Sequence, residues 1–146
     1  MKLVIKKIEK LEIAVKVLED DLAIEAKLLN LAKENLSSMQ NQLDTLTNEL
    51  ERLSSNNSDS STISSVNLSN EFLYKTKLRQ AITECERQIG IMELEVKAKN
   101  EDVRKLVAKK TASQSMIARL RVDLSKAEDK AQQEVAELMH TVNNLV

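Results

Sequence analysis

Apolar residues recur along this chain in alternating steps of three and four. In the first third they fall at Met1, Val4, Ile8, Leu11, Val15, Leu18, Leu22, Leu29, Ala32, Leu36, Met39, Leu43, Leu46, Leu50 and Leu53. Glu25 is the only polar residue among the sixteen positions of that rhythm. The chain as a whole is 42% hydrophobic, so chance would make fewer than half of them apolar. A run of this kind is a heptad seam, the stripe by which one helix packs along another. At 1.5 Å per residue it predicts a helix roughly 80 Å long, and a stripe of that length requires a partner helix.

The same rhythm resumes at Leu78 and passes through Ile82, Cys85, Ile89, Met92, Val96, Val103, Leu106, Ile117, Leu120, Leu124, Ala127, Ala131, Leu138 and Leu145. Lys99, Lys110, Ser113, Glu134 and Thr141 are its polar members. Loosening is expected near KKTASQS, residues 109 to 115, and toward the C-terminus. Between the two seams lies LSSNNSDSSTISSVNLSNEFL, residues 53 to 73. Its serines and asparagines compete with helical backbone hydrogen bonds and favour a reversal.

These patterns predict an all-α fold. Two long helices form an antiparallel coiled-coil hairpin joined by a Ser/Asn-rich turn, the second helix being the longer. As a single domain over 1–146, the expected bounds are a helix over about 1–53, a turn over about 54–66 and a helix over about 67–146. Asn67 or Ser69 is the expected N-cap of the second helix, with Glu71 in its first turn. Folding about position 62 brings the acidic break at Glu25 opposite the basic break at Lys99. A one-off pair of this kind fixes alignment more than it adds stability. Phe72 is expected to close the end of the seam at the neck of the turn. The last twenty or so residues are expected to run past Met1, where they fray or another molecule covers them.

Composition agrees with this reading. The chain has no proline or tryptophan, one glycine (Gly90), one Phe and one Tyr, and 31% of its residues are charged. A chain with so few turn residues and aromatics suits long helices rather than a globular core. The formal net charge is −1, which argues against nucleic acid as the main partner. No apolar run approaches the roughly 18 to 20 residues that cross a bilayer. Lysines interrupt the apolar residues of MKLVIKKIEK, so no signal-peptide core is present there. With Cys85 as its only cysteine, the chain forms no internal disulfide, and a reducing cytoplasm is the simplest compartment.

No catalytic constellation is legible. His140 has no second group spaced to converge with it. Cys85 lies on the seam, where a small buried hydrophobe is the better reading than a reactive thiol. Asp20–Asp21, Glu101–Asp102 and Glu128–Asp129 are surface pairs that form no cleft. No metal-ligand spacing or phosphate-binding loop occurs. Catalytic, cofactor and metal residues are therefore expected to be none, and the chain is expected not to be an enzyme.

Charge is unevenly placed. Lys97, Lys99, Arg104, Lys105, Lys109, Lys110, Arg119 and Arg121 face only Glu101 and Asp102 in their stretch. The hairpin brings this zone near Lys2, Lys6, Lys7 and Lys10. The end bearing both termini is thus basic, and Asp123 to Glu137 beyond it is mildly acidic. This is either an ordinary solvated face or a surface that docks into an acidic-lined cavity or ring. Tyr74, Leu78 and Ala81, at i, i+4 and i+7, form an apolar strip beside the turn. It reads either as hairpin packing or as a docking site.

An N-terminal helix, a Ser/Thr/Asn-rich turn and a second helix opening VNLSNEFLYKTKLRQAITECERQI resemble the FliJ family, with its YscO-type relatives. Tyr74, Leu78, Ala81 and Ile82 match the family pattern of an aromatic, Leu, Ala and Ile, whereas Cys85 stands where a histidine is common. The resemblance implies a non-enzymatic stalk protein of a bacterial flagellar or type III export apparatus. Such a stalk links the hexameric export ATPase to the cytoplasmic domain of the membrane export-gate protein, with export chaperones as further partners. It implies gate-side contacts at Tyr74, Leu78 and Ala81. It implies ATPase-side contacts at the basic end, with Lys2, Lys6, Lys7, Lys10, Arg104, Lys109, Lys110, Arg119 and Arg121 as candidates. The protein would be a cytoplasmic monomer, peripheral to the inner membrane at the export apparatus, with no membrane insertion and no nucleic acid partner. A generic coiled-coil tether or scaffold is the alternative, and would self-associate through its tail. A coiled-coil holdase chaperone is a third reading.

Overall fold

The computed structural model of the chain describes residues 1–56 and 65–145. It comprises two helices, α1 (Lys2–Asn56) and α2 (Ser65–Leu145). Leu, Ala, Glu and Lys dominate both, and these are strong helix formers. The helices pack against each other as an antiparallel coiled coil, with no strand among the described residues.

The chain divides into two compact units, each made of a piece of both helices. In the first, Met1–Glu25 and Asp102–Val146, the buried side chains are Ile8, Val15 and Ile117. Val4, Leu11, Leu120 and Leu124 pack around them. Antiparallel pairing is visible in its ion pairs, because Arg121 bonds Glu12 while Lys110, earlier in α2, reaches Glu19 further along α1. In the second unit, Ala26–Glu101, the buried residues are Leu29, Leu78, Cys85 and Ile89. Cys85 Sγ lies 3.5 Å from the Met39 carbonyl oxygen and 3.3 Å from Met39 Sδ. Met39 and Cys85 are equidistant from position 62, so this contact has the expected register.

Within each unit, burial follows the seams. From Val4 to Leu53 every expected α1 position is buried or half-buried, including Glu25. On α2 the same holds from Leu78 to Leu124, including Lys99, Lys110 and Ser113. The helix continues through residues 109 to 115. Lys110, which breaks the seam there, lays its stem along it while Nζ reaches Glu19 at 3.5 Å.

The helix ends differ from expectation. α1 runs three residues past Leu53, and α2 begins at Ser65, so Asn67 and Ser69 lie inside it rather than at its cap. Ser54 Oγ donates to the Leu50 carbonyl at 2.9 Å and Ser55 Oγ to the Arg52 carbonyl at 3.1 Å. Each hydroxyl bonds a carbonyl of the preceding turn and so does not divert the backbone into a reversal at these positions. The rest of the expected turn lies outside the described residues. Phe72 does not close the seam, for it is 66% exposed. Glu71 and Lys75, the half-buried residues on either side of it, take the seam positions at this level.

Gly90 sits in the interior of α2, and an added Cβ there would meet nothing within 4 Å. Glycine weakens a helix by about 1 kcal/mol relative to alanine. Gly90→Ala should therefore stabilise the fold by about 1 kcal/mol in a denaturant titration.

Candidate functional site

The expected strip beside the turn splits in two. Leu78 is 7% exposed, a core residue facing α1, whereas Tyr74 is 47% exposed and Ala81 is exposed. The cause is helical geometry. Positions i and i+7 fall on the same flank of a helix, while i+4 turns toward the seam that Lys75 and Ile82 also flank. Leu78 is thus removed from the set of surface contacts. Ala81 remains at the rim of a shallow groove, with Met39, Gln42, Leu46, Glu84, Cys85 and Gln88.

Tyr74 stands beside an ion pair on α1. Arg52 forks onto Glu49, with Nη2 at 2.6 Å from Oε1 and Nε at 3.1 Å from Oε2. That hydrogen bonding holds the Glu49 carboxyl below its ordinary range, with a lesser contribution from the Tyr74 hydroxyl. A depressed carboxyl supports the fold at neutral pH, and that support is lost as the pH falls through the carboxylate range. The pair is exposed and adds little to stability. It makes the flank carrying Tyr74 both aromatic and charged. Glu84 and Arg87 repeat the arrangement on α2, where Arg87 Nη2 lies 2.6 Å from Glu84 Oε1.

Val66, Leu68, Phe72 and Leu73 are exposed at the start of α2. Of these, only Phe72 was expected to pack at the neck of the turn; Val66 and Leu73 lie off the seam, and Leu68 stands on it three residues before Glu71.

The basic candidates lie in the unit that contains both termini. Lys6, Lys7 and Lys10 line an open groove with Leu3, Val4 and Leu120. Lys109 lies in a second shallow groove with Lys105, Leu106, Glu25 and Asp102. Lys2, Arg104 and Arg119 are exposed. Lys110 is engaged within the fold by Glu19 and Arg121 by Glu12. The lysine cluster thus separates into a group presented to solvent on α1 and a group on α2 that partly serves pairing.

Past Leu124, α2 has no buried side chain and only Ala131 is half-buried. Val135, Leu138, Met139, Val142 and Leu145 are all more than half exposed. Ala131, Gln132, Val135, Ala136 and Met139 form an apolar groove on this tail. His140 Nε2 lies 3.2 Å from Asn144 Nδ2, one turn away. Among the described residues, no group of His, Cys, Asp and Glu is placed to hold a metal ion. No described helix is long and apolar enough to cross a membrane.

The fold and these surfaces define the chain as an antiparallel two-helix coiled coil with a basic start to α1 and an apolar tail on α2. No family model, curated protein or solved structure matches it.

Proposed function

We propose that this chain is a non-enzymatic stalk that couples two larger partners. One is the hexameric ATPase of a bacterial flagellar or type III export apparatus, and the other is the cytoplasmic domain of its gate protein. The carrying observation is the groove lined by Lys6, Lys7 and Lys10. The first turn of α1 contains no acidic residue, and it begins with Lys2. Cations at a helix N-terminus oppose the helix dipole. That opposition acts over the first turn and so on Lys2, while the cluster of Lys6, Lys7 and Lys10 beyond it forms a local basic surface suited to docking against an acidic one. The resemblance to the FliJ family in the stretch from Val66 to Ile89 supports the same assignment. On the gate side the proposed contacts are Tyr74 and Ala81, which are exposed, with Leu78 holding the helix they stand on. Bound to the ATPase, the stalk would work as a monomer in the cytoplasm beside the inner membrane, with export chaperones as additional partners.

Co-purification with the export ATPase of the same genome tests the reading. The intact chain should bind, and Lys6, Lys7 and Lys10 together replaced by Glu should bind at least about tenfold more weakly, a loss of about 1.4 kcal/mol. Binding should also weaken with salt. A chain that ignores the ATPase at low salt would sink the proposal. The second reading, a coiled-coil tether or scaffold, is favoured by the exposed apolar tail.

A further inference from the structure

The tail of α2 carries a heptad seam of its own. The rhythm that buries Ile117, Leu120 and Leu124 would continue through Glu134 and Thr141, both polar. A different phase is apolar throughout: Ala131, Val135, Leu138, Val142 and Leu145. The change of phase takes two successive steps of four, from Ala127 to Ala131 to Val135. Such a stutter locally unwinds a coiled coil. It begins beyond the groove that Leu120 lines with Val4, close to the start of α1 at Lys2. The tail is thus patterned for a helix other than its own α1. Its stripe is exposed, with Leu138 at 66%.

The tail is also acidic. Asp123, Glu128, Asp129, Glu134 and Glu137 outnumber Lys126 and Lys130. The start of α1 has the opposite balance, with Lys2, Lys6, Lys7, Lys10 and Lys16 against Glu9 and Glu12, and Glu12 is bonded to Arg121. This part of α1 exposes aliphatic side chains at Ile13 and Val17, and the balance turns acidic only beyond it, at Glu19, Asp20 and Asp21. One molecule therefore presents an acidic helix with an apolar stripe and a basic helix with an exposed apolar face.

We propose that the tail of one copy docks on the outer face of the α1 start of a second copy, and reciprocally, forming a two-fold dimer. A reciprocal contact of this kind closes on itself and leaves no open end. Two-fold symmetry makes the two α2 helices antiparallel, so each tail runs parallel to the α1 it covers. Pairing tail with tail would set acid against acid, whereas pairing tail with α1 sets acid against base. The dimer uses Lys6, Lys7 and Lys10, the residues given above to the ATPase. The dimer and the ATPase-bound form therefore exclude each other, although the inference stands on the tail and α1 alone.

The test uses full-length chains carrying Cys85→Ala. One set carries Ile13→Cys or Val17→Cys, and the other, with a size tag, carries Leu138→Cys. Under mild oxidation, a mixed disulfide should form between the sets at low salt and fade at high salt. Leu138→Cys chains that link to themselves as readily would overturn the proposal in favour of tail-to-tail pairing. Light scattering on the unaltered chain provides a second measure. A dimer mass at low salt should revert to monomer when Lys6, Lys7 and Lys10 become Glu. It should return when those chains are mixed with chains in which Glu128, Glu134 and Glu137 become Lys. A monomer mass for the unaltered chain at every salt concentration would overturn the proposal outright.

Discussion

Replacing Leu78 by alanine destabilises the chain by about 2–4 kcal/mol, read as a lower denaturant midpoint with the slope unchanged. Leu78 is among the most buried side chains, and it faces α1 from the middle of the strip that sequence suggested as a docking surface. Truncation leaves a gap that a seam between two rigid helices fills poorly. Tyr74→Ala provides the contrast. Tyr74 is about half exposed and its polar neighbours Glu49 and Arg52 remain paired without it, so stability changes by less than about 0.5 kcal/mol. If partner binding falls in both variants, only the Tyr74 variant reports a contact. A Leu78→Ala chain as stable as the parent would show that this residue is not holding the helices together.

The second large effect is at Ile117. It is 7% exposed and packs with Ile8 and Val15, Val4, Leu11, Leu120 and Leu124 lying around them. Ile117→Asp places a carboxylate in this apolar cluster, and Lys110 and Arg121 on the same helix are already bonded to Glu19 and Glu12. A loss of about 4 kcal/mol or more is expected, as for other charges placed in a core without a partner. Hydrogen exchange would show it as faster amides around Ile8, Val15 and Ile117. Met116→Asp, one residue earlier on an exposed position, should leave those amides unchanged.

The fold was legible because a two-helix coiled coil writes its core directly into the sequence. Each buried position is a step of three or four from the last, so Val15, Leu29, Cys85 and Ile89 could be placed without coordinates. Even the polar breaks at Glu25, Lys99 and Lys110 kept their seam positions, because a rigid helix carries every residue in phase whatever its side chain. Helix ends were less legible. Ser54 and Ser55 signal a turn by composition, yet their hydroxyls bond back to Leu50 and Arg52 and let α1 continue. Phe72 was misplaced because its size suggested a plug, while its phase put it outside.

The candidate site was legible only in part. The lysines of the α1 start stand out as charge, but which basic residues already have a partner depends on distances such as that from Lys110 to Glu19. Leu78 belonged to both the seam and the strip, and only burial decided between them. The tail's separate phase is visible in the letters, but the rhythm of three and four that found the seams carries straight across the stutter and hides it.

None of the described side chains is less than 2% exposed. A core so thin has no central mass whose collapse holds everything else in place. Each layer of the seam is supported mainly by the layer on either side, as in a zip fastener. Opening such a structure at one end requires breaking only the next layer, so it can be undone tooth by tooth by a pull or by a competing helix. Gripping the chain by a free end of α2 would make it yield gradually under load, where a globular domain of the same size would give way at once.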